Sequence, residues 1–181
     1  MRRVLSKTTN FGLLFGLADA GLVQYCEEND PPVYITIAEA KEIREKLLTK
    51  RPRLLKYIDE LKTQALRDGY TTTILGMRRY FPPLLSSNSK DQKEALKAAV
   101  NHPIQGTAAS IIKIAMVWID KVIPGALRLQ VHDELLLEIP MDQMENVTPL
   151  VVDLMEAAAL KVLKFPVKVS YGIGVNWEES K

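Results

Sequence analysis

The stretch Ala126–Pro140 reads "ALRLQVHDELLLEIP". Leu127, Leu129 and Val131 alternate with other residues on the way in, and Leu135 and Leu137 alternate on the way out. A period of two is the mark of a strand with one covered face. The spacing therefore predicts a hairpin or a bent strand pair with His132 and Asp133 near its turn. Two adjacent carboxylates, Asp133 and Glu134, fall where strand meets turn, between apolar flanks. Burying a carboxylate without a partner is expensive. One reason to hold acids there is a divalent cation of the Mg²⁺ type, which takes hard oxygen ligands, typically one or two carboxylates plus substrate phosphates. The other is a solvated turn, where aspartate is common.

Outward from the hairpin the chain reads mostly as helix. "TIAEAKEIREKLLTK" opens on a capping box of Thr36 and Glu39, and that helix stops before Pro52. A second helix runs from about Pro52 to Arg67 and ends at Gly69. "YTTTILGMRRYFP" has strand composition around a glycine turn, followed by Arg78, Arg79 and aromatics. "SSNSK" is a loop with a cap signal. Helices are expected over about 90–100 and 104–121, broken at Pro103, and over about 143–164, capped by Asp142. Val167 to Val175 reads as a further strand. The fold class expected is α+β: mostly helical, with a small antiparallel sheet near the C-terminus.

Composition excludes several classes. The 181 residues carry a net charge of only +2, so local basic clusters matter more than the total. One cysteine, Cys26, permits no internal disulfide and no zinc cluster, and fits a reducing compartment. No apolar run is long enough for a membrane span.

Near the N-terminus, "RRVLSKTTNFGLLFG" puts Arg3, Lys7, Phe11 and Phe15 four residues apart, on one helical stripe from Arg2 to about Leu17. Cations can hold phosphates, and an aromatic ring one turn on can stack on a base. A surface helix with a basic edge and two core phenylalanines has the same pattern. Arg78 and Arg79 beside Tyr80 and Phe81 suit a nucleic-acid backbone, or an exposed arginine loop over buried aromatics. In "NHPIQGTAAS", Asn101, His102 and Gln105 can read base edges or simply cap a turn.

Taken in order, "KTTNFGLLFG", "GMRRYFP", "NHPIQGTAAS", "QVHDELLLE" and "GIGVNWEESK" resemble the C-terminal part of family A DNA polymerases, from Arg2 to Lys181. The resemblance implies a right-hand polymerase fold, with residues 1–83 in the fingers and 84–181 in the C-terminal palm. It implies a DNA-directed DNA polymerase of replication and repair, acting on a DNA primer-template and deoxynucleoside triphosphates. Arg3 and Lys7 would bind the nucleotide phosphates, Phe11 its sugar and base, and Phe15 the template base. Asp133 would be one of two aspartates holding two Mg²⁺ ions, with Glu134 in support. Asn101, Gln105 and His132 would lie against the primer end and minor groove, and Arg78 along the duplex backbone. Met77, Lys97 and Ser110 stand where the family often has a basic residue, an arginine and an aspartate.

The family's first metal-binding aspartate lies in a "D-[YF]-S-x-I-E" segment, and no such segment occurs in these 181 residues. The expectation is a fragment, inactive alone and prone to self-association, whose partner is the remaining N-terminal part of the polymerase. A bacterial source would place it in the cytoplasm, at the nucleoid. The rival readings are a non-catalytic nucleic-acid-binding remnant of a polymerase and a helical interaction domain.

Overall fold

The computed structural model describes residues 19–28 and 32–180. Among them, five α-helices and four short strands appear: α1 Asp19–Glu27, α2 Ile37–Thr49, α3 Pro52–Asp68, β1 Tyr70–Thr72, β2 Arg78–Tyr80, α4 Ser89–Val122, β3 Leu127–Val131, β4 Glu134–Leu137 and α5 Met144–Leu163. The class is α+β, with two separate two-stranded antiparallel sheets. Residue contacts divide the chain into two units. One comprises the described residues of Met1–Thr73 with Met77–Ile104; the other comprises Ile74–Gly76 with the described residues of Gln105–Lys181.

In the first unit, local chemistry sets each boundary. The Thr36 hydroxyl accepts from Glu39 N at 3.2 Å, and Thr36 N donates to the Glu39 carboxylate at 2.7 Å, completing the capping box. The Thr36 backbone N–H first, and second the Thr36 hydroxyl, which donates to Glu39 Oε2 at 2.8 Å, hold the Glu39 carboxyl below its usual range. Pro52 sits in the first turn of α3, where its missing N–H costs nothing. Leu54, Leu55, Ile58, Leu61 and Ala65 form one stripe of α3 that faces inward. The helix ends at Gly69, whose φ of 74° closes the last turn with an N–H bond to Ala65 O. Gly69 O then accepts from Phe81 N at 2.8 Å, so the helix cap also starts the β1–β2 ladder. Ala65, Phe81, Leu84, Ala95 and Ala99 make one buried cluster. Burial of Phe81 and Leu84 contributes about 1.5–3 kcal/mol each. Leu22, Cys26, Val33 and Ala40 make another.

Pro103 does not break its helix, contrary to expectation: α4 runs unbroken from Ser89 to Val122 with Pro103 inside it. A proline has no N–H for the carbonyl four residues back, here Ala99. The Thr71 hydroxyl, from β1, donates to Ala99 O at 3.2 Å. A side chain thus satisfies the carbonyl that the proline orphans. Thr71 and Ala99 are both fully buried, so water has no access to that carbonyl. The same hydroxyl lies 3.1 Å from His102 Nδ1. Its one proton serves Ala99 O, so His102 Nδ1 carries the proton between them and Nε2 is left as an acceptor. Burial first, and the nearby Arg79 charge second, push the His102 imidazole below its ordinary pKa.

In the second unit, Ala115, Ile119, Ala126, Val151, Ala158, Ala159 and Val162 are buried. Two expectations need correction here. Asp142 caps no helix; it lies in a 3₁₀ turn, Met141–Gln143, and α5 starts at Met144 without a side-chain cap. Val167–Val175 forms no strand among the described residues. Its period of two is real, yet a strand exists only through a paired edge. The chain after it folds back instead: a side chain at Gly174 would stand 2.6 Å from Glu179 Cβ, an approach only glycine allows. Glu156 of α5 ties this segment down, accepting from Lys168 Nζ at 2.8 Å and Val169 N at 3.2 Å.

Thr71→Val should destabilise the fold by about 1–3 kcal/mol, the cost of an unsatisfied buried carbonyl. Pro103→Ala restores an N–H for Ala99, so Thr71→Val should cost less in that background. Urea unfolding of the four-member cycle measures the difference, and equal costs would dissociate Thr71 from Pro103. His102 adds a pH dependence. Its folded pKa is depressed, so the unfolded chain binds the proton more tightly in the window below about 6.5. Stability should therefore fall as pH drops through that window, and His102→Asn should flatten the decline in thermal-melt profiles.

Candidate functional site

In the first unit the β1–β2 hairpin pairs Tyr70 with Tyr80, Thr71 with Arg79 and Thr72 with Arg78. Alternation sends the two arginines to opposite faces. Arg78 shares its face with both tyrosines. Its guanidinium lies 4.8 Å from the Tyr70 ring centre, and the two tyrosine rings meet at 5.3 Å between centres, tilted by 54°. A hydrogen bond to Tyr80, and then the two tyrosine groups, stabilise the charged form of Arg78 further. Arg78 is therefore a preoriented, exposed cation on an aromatic platform. Arg79 packs on Phe81 at 5.3 Å, and Phe81 meets His102 edge-on at 6.3 Å.

Asn101 and His102 are adjacent in sequence and form one expected group, but the structure separates them. His102 is buried on Thr71 and offers no base-reading edge. Asn101 is half-buried, and its Oδ1 is shut from solvent with no donor among the described residues.

In the second unit Gln105 is exposed on α4. The β3–β4 register pairs Val131 with Glu134, so His132 and Asp133 alone form the turn. A bulge at Arg128 shifts the ladder, and Arg128 Nε closes it with a 2.8 Å bond to Glu138. His132 has φ of 52°, a left-handed conformation unusual for a residue with a side chain. Gln130 Nε2 donates to His132 O at 2.6 Å and holds that backbone in place. His132, Asp133 and Glu134 are all exposed. The solvated turn and the metal turn thus share one geometry: two adjacent hard carboxylates on a braced two-residue loop. Their donor chemistry fits one side of a Mg²⁺ ion. Among the described residues no group of three or more His, Cys, Asp and Glu converges.

Arg3, Lys7, Phe11 and Phe15 lie outside the described residues. Sequence reasoning missed Gln130, Thr71 and the Tyr70–Tyr80 platform. A glutamine two residues before a turn and a proline inside an apolar helical period are the signals that point to the first two. The third needed the strand register. Among the described residues no helix is long and apolar enough to cross a membrane.

The model of DNA polymerase family A matches residues 1–179. DNA polymerase I of Geobacillus stearothermophilus is 39% identical over 186 residues, 100% of this chain and 20% of that protein. DNA polymerase I of Mycobacterium tuberculosis (strain ATCC 25618 / H37Rv) is 41% identical over 182 residues, covering 98% of this chain and 19% of that protein. The chain spans about a fifth of the length of these curated relatives. A solved structure of the POL domain of Pol1 from M. smegmatis, in complex with DNA primer-template and dNTP, is similar with a TM-score of 0.82 and 38% identity. That match covers 97% of this chain and 30% of the other. Five short segments, two braced hairpins and a match over nearly the full length agree: the chain belongs to DNA polymerase family A.

Proposed function

We propose that these residues form the fingers (1–83) and C-terminal palm (84–181) parts of a DNA-directed DNA polymerase that carries out template-directed nucleotidyl transfer. The observation that carries this reading is the likeness, over 97% of the chain, to a polymerase domain in complex with DNA primer-template and dNTP. On this reading Arg3 and Lys7 bind the incoming triphosphate, and Phe11 and Phe15 stack at the sugar, base and template. Arg78, fixed on its tyrosine platform, holds a phosphate of the duplex backbone. Asn101 and Gln105 lie against the primer end and minor groove. His132 faces the primer end. Asp133 binds metal and Glu134 supports it. Two Mg²⁺ ions, when bound, activate the primer hydroxyl and stabilise the leaving diphosphate.

The two carboxylates of the β3–β4 turn provide one side of that cradle; the other aspartate belongs to a segment absent from this sequence. The 181 residues alone should therefore not extend a primer. Joined to the aspartate segment and thumb of a relative, they should extend it, and Asp133→Ala should abolish that extension. A primer-extension assay with Mg²⁺ and all four deoxynucleotides compares the three proteins. Robust extension by the chain alone, lost in Asp133→Ala, would overturn the half-cradle. No extension by a folded joined protein would favour the non-catalytic remnant.

In the same joined polymerase, Lys7→Ala should weaken nucleotide use by roughly tenfold to a hundredfold, the worth of one charge-assisted contact. DNA affinity should change little. Single-turnover kinetics at varied nucleotide concentration separates the two, and equal nucleotide affinity in variant and parent would remove Lys7 from the phosphate site.

A further inference from the structure

The α2–α3 pair carries nine lysines and arginines. Six of them have an acidic partner within 4.0 Å: Lys41, Arg44, Lys46, Lys56, Lys62 and Arg67. The three without one among the described residues are Lys50, Arg51 and Arg53, and they are contiguous apart from Pro52. All three are exposed. They stand on a preset corner: Arg51 is held at φ −132° and ψ 60° by the proline that follows it, and Pro52 has little freedom of its own. Local electrostatics works against this arrangement. Arg51 occupies the cap position of α3 and Arg53 its first turn, where the helix dipole disfavours cations. No side chain caps that turn, in contrast to the complete capping box at the start of α2. One turn after Arg53, on the same face, Tyr57 leaves 40% of its surface exposed. Cations on a fixed corner beside an open aromatic ring match a single nucleic-acid strand, with phosphates on the cations and a base on the ring.

We infer that the corner Lys50–Arg51–Arg53, with Tyr57, is a second nucleic-acid contact that takes a single-stranded stretch of DNA, apart from the nucleotide and duplex contacts assigned above. It rests on the polymerase reading for the choice of DNA as the polyanion. Neutral Gln at the three positions keeps length and polarity and removes the helix-dipole conflict, so the variant should melt no lower than the parent.

The test is fluorescence anisotropy of the chain with single-stranded oligodeoxythymidine between about 50 mM and 200 mM salt. The combined Lys50→Gln, Arg51→Gln and Arg53→Gln variant should bind more weakly, with the slope of log K against log salt shallower by about 2, since each strand contact contributes about 0.7. Tyr57→Ala should weaken binding without altering the slope, because a ring releases no counterions. Arg78→Gln serves as the comparison, and should weaken duplex binding more than single-strand binding. An unchanged slope in the triple variant, or no single-strand binding by the parent, overturns the corner site. If Arg78→Gln still weakens duplex binding in that case, the polymerase reading survives. Anionic phosphatidylserine vesicles form the remaining arm: loss of vesicle binding in the triple variant with oligonucleotide binding intact would assign the corner to a lipid surface and overturn the proposal.

Discussion

One hydroxyl–carbonyl hydrogen bond organises the first unit. Proline at position 103 leaves Ala99 O without its helical donor, in a place no water reaches. Unsatisfied, that carbonyl would cost about 1–3 kcal/mol, more than an ordinary hydrogen bond returns. Thr71 supplies the proton from another element, 28 residues earlier in the chain. The consequence is twofold. The helix α4 continues through the proline and carries Asn101 within it, and β1 is pinned to that helix at one defined residue. Because β1 and β2 share a ladder, pinning Thr71 also places Arg79 opposite it, with Arg78 and the tyrosines on the other face.

The β3–β4 turn reaches rigidity by a different route. A two-residue loop leaves no slack, and a left-handed histidine is not a conformation the backbone chooses freely. The Gln130 amide bond to His132 O and the Val131–Glu134 pairing hold it there. Such local strain is held where surrounding contacts over-determine the backbone. The outcome is that Asp133 and Glu134 project from a braced tip into solvent, which suits a ligand arriving from outside more than a role in the core. The Arg78 platform follows the same logic, since stacking on the tyrosines reduces the freedom a long side chain would lose on meeting a phosphate.

Several elements are legible in the sequence because their causes are local. Thr36 and Glu39 lie three residues apart and satisfy each other, so the start of α2 is written in four letters. Gly69 ends α3 because only a residue without a side chain turns left-handed there at no cost. The alternation around "HDE" marks the β3–β4 hairpin, and it places His132 and Asp133 in the turn. Other features escape for an equally physical reason. Pro103 predicts a break from its own chemistry, and the remedy lies on a strand far away in sequence. Asp142 has the chemistry of a cap but stands in a 3₁₀ turn one residue too early. Val167–Val175 has the right period, but pairing depends on what lies alongside it.

What the sequence determined by itself is therefore the set of groups and their local geometry: helix ends, turn residues, the adjacent carboxylates, and the family, since ordered motifs survive as letters. What only the tertiary structure decided is which polar groups remain available. His102 and Asn101 are neighbours with similar hydrogen-bonding capacity, yet one is consumed by Thr71 and the other keeps an unclaimed oxygen. Cations are indistinguishable along α2 and α3 until ion-pair distances show six engaged and the corner three free among the described residues. Composition counts donors, acceptors and charges; only packing assigns them partners, because a hydrogen bond or ion pair depends on a separation of a few ångströms that linear order does not encode.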